Sequence, residues 1–473
     1  MLHSSSAYMV KGWIFFWLMF GCTVSQTNAQ ALTLKDAVQQ ALANYGTLKA
    51  KANYVRASQA LVKASSREYL PDLNISAQQD YGTVNSLNGP IYGYRGLSVG
   101  SSGPVLPSQN WNAAFGALYL ANINWDFFAF GRAKERVKVS LSQVTLDASD
   151  LEQEKFQHLV RVAAAYLNLL AAQRISRSQQ NNLERSQSLQ MVVTARVKNG
   201  LNAGVDSSLA NAEVSNAKIA LTQAKDYEQE QVNTLAQLMG IKTPHEGFML
   251  DSFFISRVPK GIYDSSKQPQ QNHPILKYYE NRIALSDERA RYYQTFNYPT
   301  FSLFGVYQGR GSGFSYGYSV LNQDAYSHGY WTGIEPTRSN YLLGLGVTWN
   351  LTSPLRIQQQ VHAQQWISMG LKDEYDLIQQ NLTDQLILYD SKIEHAMANY
   401  AEAPIQVAAA SDAYLQKSVM YKNGLSNIVD ITQALFGLNR AETDRDIAYN
   451  NVWQALLLKA AASGDFGLFM NEF

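Results

Sequence analysis

Alternating apolar and polar residues predict two β-strands in each half of the chain. A period of two sends successive side chains to opposite faces of a strand, so each run has one apolar and one polar face. The third run alternates least well, because Phe304 and Val306 lie on the face that is otherwise polar. The predicted strands cover residues 72–83, 111–127, 300–308 and 341–351.

A helical pattern of unusual length follows each pair of strands. The first runs from Gly131 to Lys198 and spans about 100 Å at 1.5 Å per residue, whereas globular helices usually have about 8–20 residues. An Asn-Gly pair then predicts a tight turn, and a second helix completes a hairpin over residues 131–240. The second half repeats this hairpin over residues 354–462. A further helix is predicted over residues 33–69 and is ended by Pro71.

The order and spacing of these elements indicate that the two halves are copies of one plan. Lys198-Asn199-Gly200-Leu201 recurs as Lys422-Asn423-Gly424-Leu425, and Trp125 precedes the first glycine by the same 75 residues as Trp349 precedes the second. Landmarks before the strands, such as Pro71 and Pro299, are separated by four residues more than Trp125 and Trp349 are. The loop between the two strands accounts for this difference in length. Matched order and spacing are typical of an internal duplication. The predicted divisions are a first repeat at 30–242, an inter-repeat segment at 243–271 and a second repeat at 272–473.

The N-terminus predicts export from the cytoplasm. Lys11 is followed by an apolar run over residues 13–20 and then by small residues, as in a secretory signal peptide of residues 1–29. The run is too short for a membrane-spanning helix, which needs about 20 apolar residues. Cys22 leaves a second interpretation open, in which the signal is cleaved before this cysteine and the cysteine becomes lipidated.

Charge and composition then narrow the function classes. The chain has 39 basic and 38 acidic residues, so net charge gives no argument for nucleic-acid binding. Its one cysteine excludes a disulfide framework and cysteine-based zinc sites. His245-Glu246 lacks the second histidine of a zinc-protease helix, and residues 309–313 lack the spacing of a phosphate loop. We therefore expect no enzyme activity, no cofactor, no metal site and no nucleic-acid partner.

The strands and helices together predict an α+β membrane protein that assembles as a trimer. Strands of about 9–12 residues with one apolar face are typical of bilayer-spanning β-strands. Four strands cannot close a barrel, and an open sheet edge in lipid is not viable. Two copies supply too few strands for a substantial pore, whereas three copies supply twelve. We expect a trimeric 12-stranded barrel in membrane lipid, continued by a long α-helical barrel.

Aromatic and flexible segments predict how the barrel meets its surroundings. Trp111, Trp125 and Trp349 lie near strand ends, where aromatic side chains form membrane-interface girdles. Residues 84–109 and 309–340 are rich in glycine, serine and tyrosine and predict extracellular loops. Their aromatic residues either pack over the barrel mouth or bind a surface partner.

The duplicated plan resembles the TolC-like outer-membrane efflux proteins, or outer membrane factors, of Gram-negative bacteria. The opening segment Leu32–Asn44 and both Gly-Leu hairpin tips are similar to those of the family, and the resemblance covers residues 31–462. It implies a homotrimeric, passive exit duct of a tripartite efflux pump or type I secretion system, in the outer membrane with its tunnel in the periplasm. The implied partners are a periplasmic adaptor protein and an inner-membrane transporter of the RND, ABC or MFS class. The alternative is an exported helical scaffold or adhesin without a pore. Such a protein does not need lipid-facing strands, so the alternating strands argue against it.

The hairpin tips are the predicted sites of partner contact. By the resemblance, Gly200-Leu201 and Gly424-Leu425 lie at the periplasmic end, where exposed leucines contact the adaptor. Glycine suits the left-handed residue of such a turn. The alternative is an ordinary helix turn with a buried leucine.

Polar residues next to the tips are the predicted gate. Asp206 and Asp430 each begin a return helix, where the helix dipole stabilises a carboxylate by about 0.3–1 kcal/mol. The resemblance implies that three copies of Asp430 ring the closed entrance and that Tyr421 contacts Asp206 to hold it shut. It also implies that Gln433 replaces a second aspartate of the family. Ser426 stands where the family has an arginine, so one part of the usual lock is missing or replaced.

Overall fold

The computed structural model places a four-stranded sheet at one end of a long helical body. The predicted signal peptide of residues 1–29 and Cys22 lie outside the described residues. The residues that the structure describes are 31–86, 102–244, 247–251, 253–257, 259, 269 and 272–472. None of the helices in these ranges is both long and apolar enough to cross a membrane.

The elements follow the duplicated order expected from the sequence. The strands are β1 (Asp72–Thr83), β2 (Ala113–Phe128), β3 (Thr300–Ser312) and β4 (Arg338–Thr348). The first-half helices are α1 (Leu34–Asn44), α2 (Gly46–Arg67), α3 (Arg132–Lys198), α4 (Gly204–Met239) and α5 (Phe253–Ser256). The second-half helices are α6 (Pro274–Gln294), α7 (Tyr330–Ile334), α8 (Ser353–Lys422), α9 (Ile428–Ser463) and α10 (Gly467–Met470). The predicted α+β fold, with four strands and two long helical hairpins, is confirmed.

The sheet joins the two halves of the chain through its middle strands. Its order is β1-β2-β3-β4, and every neighbouring pair is antiparallel. Opposite residues in such pairs share a face, so the registers assign each side chain to one side of the sheet. The apolar face carries Leu73, Ile75, Phe115, Tyr119, Ile123, Trp125, Leu303, Tyr307, Tyr341, Leu343, Leu345 and Val347.

The irregular third strand has a packing explanation. Phe304 lies on the otherwise polar face, opposite Gly344 of β4. A Cβ atom at Gly344 would lie 2.3 Å from Phe304 Cζ, so the glycine makes the space that the ring fills. The apolar residue is therefore accommodated by its cross-strand neighbour, which an alternation pattern within one strand does not reveal.

The segment between β3 and β4 is shorter than the sequence predicts, because both strands extend into it. β3 continues to Ser312 and β4 begins at Arg338, and α7 lies between them. The segment lies against the apolar face of β2 and β3, where Gly333 of α7 approaches the backbone of Phe115. Much of the other predicted loop, residues 87–101, lies outside the described residues.

The first predicted helix is broken at Tyr45. This residue has an extended backbone with φ −62° and ψ 121°, which ends α1 and precedes α2. Its ring stacks on His158 of α3, with the centroids 3.8 Å apart. The interruption therefore arises from a contact distant in sequence, and local periodicity does not predict it.

The long helices share one apolar core near the middle of α3. α1, α3, α4 and α9 meet there, and Trp453, 2% exposed, packs edge-on against Phe254 and Phe469. From this core the α3–α4 and α8–α9 hairpins extend to their turns. Each hairpin therefore presents its turn far from the sheet.

Candidate functional site

The turns of the two hairpins have the same backbone geometry. Gly200 and Gly424 adopt left-handed conformations, with φ values of 70° and 74°. Leu201 N donates to Arg196 O at 2.9 Å, and Leu425 N donates to Met420 O at 2.8 Å. These bonds close a Schellman motif, which satisfies carbonyls at the helix end and requires the left-handed residue that glycine supplies.

Each turn exposes an apolar pair. Leu201 is 66% exposed and Leu425 71%, so the alternative of buried leucines does not hold in the single chain. Val205 and Val429, four residues further on, are each 61% exposed. The leucines lie in the turns and the valines in the first turns of α4 and α9, so each tip exposes two apolar side chains.

The two tips of one chain pack against each other. Tyr421 of α8 is 1% exposed and lies in a cluster drawn from all four long helices. Because this contact buries one face of α8 against α3 and α4, the hairpins meet in a fixed register at their ends. The buried members of the cluster are Leu189, Val193, Ala210, Tyr421, Ile428 and Ile431.

Asn202 links the two hairpins at this cluster. Its Nδ2 donates to Asp206 Oδ2 at 2.7 Å and to the Tyr421 hydroxyl at 3.2 Å. The predicted pair of Tyr421 and Asp206 is thus brought together through the asparagine. Burial raises the pKa of Tyr421, and the negative charge of Asp206 raises it further. The phenol therefore stays protonated at neutral pH.

Arg196 adds a cation to this network. Its Nε donates to Asn202 Oδ1 at 2.8 Å, and its Nη1 donates to the carbonyl oxygen of Lys422 at 2.9 Å. The guanidinium carbon lies 5.5 Å from the centroid of the Tyr421 ring, within the range of a cation–π interaction. One side chain of α3 thus contacts the last turn of α8 in two ways.

Asp430 has its own cation on the second tip. Lys417 Nζ and Ser426 Oγ each lie 3.0 Å from Asp430 Oδ2, and Asn427 Oδ1 accepts from the Asp430 backbone N–H at 2.9 Å. The hydrogen bond from Lys417, then the one from Ser426, lowers the pKa of the Asp430 carboxyl. Gln433 is exposed on the next turn of α9.

The internal duplication explains the polar residues and aspartates at the tips but not their cations. Asn202 and Ser426 occupy equivalent positions two residues after each tip glycine, and each donates to the aspartate four residues later. The signal was visible in the sequence as a polar residue and an aspartate at matched spacing. Arg196 and Lys417 had no such signal, because their equivalents in the other half are Met420 and Val193.

Ion pairs also join α3 to α9 at positions further from the tips. Arg185 donates to both oxygens of Glu442, at 3.0 Å and 2.5 Å. Further along, Arg174 lies 3.6 Å from Asp446, whose side chain is 3% exposed. These pairs join the two hairpins of one chain at separate heights.

The predicted interface tryptophans occupy both ends of the sheet. Trp125 Nε1 donates to Tyr69 O at 2.8 Å and Trp349 Nε1 donates to Asn297 O at 3.1 Å, both next to the helical body. Trp111, 80% exposed, precedes β2 at the opposite end. Within the described ranges, no group of three or more histidine, aspartate or glutamate side chains has the geometry of a metal site.

The chain matches one protein family over part of its length. Residues 37–241 match the family described as outer membrane efflux protein. This range holds α3, α4 and the first tip. No curated protein sequence matches the chain.

Solved outer-membrane channels have the same fold. VceC from Vibrio cholerae has a TM-score of 0.68 at 15% identity, covering 91% of this chain and 96% of VceC. CmeC from Campylobacter jejuni has a TM-score of 0.70 at 14% identity, covering 91% and 85%. The open state of MtrE from Neisseria gonorrhoeae has a TM-score of 0.66 at 15% identity, covering 91% and 89%. Residues 37–241 thus match the outer membrane efflux protein family, and about nine-tenths of the chain shares the fold of these solved outer-membrane channels.

Proposed function

We propose that three copies of this chain form a passive exit duct across the outer membrane, with the helical hairpins extending into the periplasm. The observation that carries the proposal is the sheet, which has one apolar face and in which β1 and β4 each pair with a single described strand. Pairing β4 of one copy with β1 of the next closes twelve strands into a barrel and leaves no edge in lipid. The match of residues 37–241 to the outer membrane efflux protein family supports this role.

The tips form the closed entrance of the proposed duct. Three copies of Asp430 meet at the narrowest point, and a ring of carboxylates attracts cations. Lys417 lies against each Asp430, so the ring carries compensating positive charge while the tip is closed. Lys417 thus supplies a cation to the second tip, where the family's arginine position holds Ser426.

Opening separates the α8–α9 hairpin from the α3–α4 hairpin of the same chain. This iris-like movement breaks the contacts of Asn202 with Tyr421 and of Arg196 with the end of α8. The closed state is favoured until a partner binds the separated tips better, because a ligand shifts such an equilibrium only by its differential affinity.

A periplasmic adaptor supplies that differential affinity. The exposed patches of Leu201 with Val205 and of Leu425 with Val429 suit insertion into a helical partner. An inner-membrane RND, ABC or MFS transporter supplies the energy in this arrangement, and the duct conducts passively.

Conductance of the purified protein in planar bilayers tests the proposal. A heat-modifiable trimer with low, cation-selective conductance is the expected result, and Asp430→Ala is expected to weaken both cation preference and block by divalent cations. Asp444→Ala, which removes the same charge from an exposed position further along α9, is the matched control. Recovery of the protein as a soluble monomer would contradict the duct, and an unchanged preference in Asp430→Ala would contradict the gate alone.

A further inference from the structure

The segment between β3 and β4 folds outward onto the apolar face of the sheet. We propose that α7 and its aromatic residues form a collar in the headgroup region of the outer leaflet, with Trp331 and Tyr330 as its lipid contacts. The inference rests on the proposed outer-membrane duct, because it needs the apolar face of the sheet to meet lipid. The segment between β3 and β4 would then lie at the membrane surface and not at the channel mouth.

The face on which α7 lies follows from its contacts. The Tyr330 ring packs edge-on against Phe115 at 5.1 Å, and its hydroxyl donates to Gln79 Oε1 at 2.9 Å. Tyr119 donates to the carbonyl of Ile334 at 3.2 Å. The registers place Phe115, Tyr119 and Gln79 on the same side of the sheet as Ile123 and Leu343. The segment is therefore on the apolar side.

Glycines in the sheet and in the segment allow the two to approach this closely. A Cβ atom at Gly311 of β3 would lie 2.7 Å from the carbonyl oxygens of Glu335 and Gly333. One at Gly313 would lie 2.7 Å from Ser327 O, and one at Gly333 would lie 2.4 Å from Phe115 Cβ. Real Cβ atoms do not approach so closely, so the backbone of the segment reaches β2 and β3 only because these residues lack side chains.

The height of α7 along the sheet matches an interface. Trp125 is next to the helical body, and Phe115, which contacts Tyr330, is ten residues away on the same face of β2. At about 3.4 Å per residue and a strand tilt of about 40°, this separation is roughly 25 Å across the membrane. The apolar band of outer-membrane barrels is also about 25 Å tall, between two aromatic girdles. Trp125 and Trp349 thus belong to one girdle, and α7 lies at the other.

The chemistry of the collar suits headgroups. Trp331 is 76% exposed beside Tyr330, and indole and phenol rings combine an apolar body with a polar group, as interfacial positions require. The apolar face of the sheet becomes polar at this level, because Gln79 follows Ala77 and Ser339 follows Tyr341 on that face toward α7. The segment therefore covers the sheet where its apolar band ends.

Depth-dependent quenching in vesicles tests the collar. The full mature chain, with one cysteine introduced by Trp331→Cys, is labelled with bimane and placed in phosphatidylcholine vesicles that carry nitroxide on the headgroup or at the chain centre. We expect quenching of this probe by the headgroup nitroxide. Leu343→Cys, in the middle of the apolar face, is expected to respond to the chain-centre nitroxide, and Lys225→Cys on α4 to neither.

The reference positions separate the possible failures. If the Leu343→Cys probe is not quenched, the sheet is not in lipid and the proposed duct fails. If that probe is quenched and the Trp331→Cys probe is not, the duct stands and the collar is overturned.

Two further variants extend the test, and the first of them needs no label. Trp331→Phe keeps an aromatic ring and is expected to remove a component of intrinsic tryptophan fluorescence that the headgroup nitroxide quenches. Gly311→Val forces α7 away from β3 and is expected to abolish quenching of the Trp331→Cys probe while the Leu343→Cys probe is unaffected. Unchanged quenching in both variants would contradict the collar.

Discussion

The Tyr421 hydroxyl accepts a hydrogen bond from the Asn202 side-chain amide at 3.2 Å, across the boundary between the two hairpins of one chain. The same amide nitrogen donates to Asp206 at 2.7 Å. Asn202 therefore links Tyr421 of the second hairpin to Asp206 of the first. Because Tyr421 is buried, the bond forms only when the tips are packed together.

Asn202→Ala is expected to favour the open tip. The bond from Asn202 to Tyr421 crosses between the hairpins, and a neutral hydrogen bond contributes about 0.5–1.5 kcal/mol, so its loss corresponds to a roughly two- to tenfold rise in the open population. Single-channel conductance of the purified trimer measures this rise. Asn199→Ala, an exposed amide at the same tip, is the matched control, and equal leak from the two variants would contradict the role of Asn202.

Lys417→Gln is expected to increase the cation preference of the channel. Lys417 lies 3.0 Å from Asp430, and its removal leaves the carboxylate uncompensated at the proposed constriction. Reversal potentials in a salt gradient report the change. Lys422→Gln removes the same charge five residues away, on an exposed side chain, and should leave selectivity near that of the wild type. An equal effect of Lys422→Gln would show that only overall charge matters.

The pH dependence of that preference follows from the lowered pKa of Asp430. Lys417 and Ser426 favour the ionised carboxylate, so it stays charged as pH falls through the range where an ordinary aspartate becomes protonated. Its contribution is present above the ordinary pKa and is lost only as pH falls through the lowered one. We expect cation preference to disappear at a higher pH in Lys417→Gln than in the wild type. Selectivity measured over a pH series tests this order, and the reverse order would exclude Lys417 as the cause.

The fold was predictable because strand and helix periods are local properties of the sequence. Alternation over residues 72–83 and the long hairpin patterns predicted the α+β plan, and the repeated Asn-Gly-Leu segments predicted where the hairpins turn. The break at Tyr45 and the position of α7 on the apolar face of the sheet were not predictable in this way. The first depends on stacking against His158, and the second on glycines of different strands that meet only in the folded sheet.

The candidate site was predictable in its carboxylates but not in its cations. Asp206 and Asp430 stand at equivalent positions of the repeats, and this spacing identified them. Arg196 and Lys417 have apolar equivalents in the other half, so the duplication gives no signal for either residue. Their roles follow from the packing of one hairpin against the other or against its own return helix.

Charged substitutions at both tip leucines are expected to abolish adaptor capture without changing the channel itself. Leu201 and Leu425 are exposed, so Leu201→Asp with Leu425→Asp removes apolar contact area at little cost to folding. Co-purification of the periplasmic adaptor from the native cell, with bilayer conductance measured in parallel, separates the two properties. Leu201→Ile with Leu425→Ile retains the apolar surface and should retain the adaptor. Full capture by the aspartate variant would exclude the tips as the contact.

Gly424→Ala is expected to destabilise the second tip, whereas Gly370→Ala is expected to stabilise α8. Gly424 has φ 74°, and an L-residue there costs about 1–2 kcal/mol, although the nearest atom to a new Cβ is Arg196 Nη2 at 3.6 Å. Gly370 is helical with open space around it, and alanine there gains about 0.5–1 kcal/mol. Thermal unfolding of the trimer should therefore shift in opposite directions for the two variants. A shift of the same sign would mean that neighbouring copies, and not backbone conformation, determine the effect at one of these glycines.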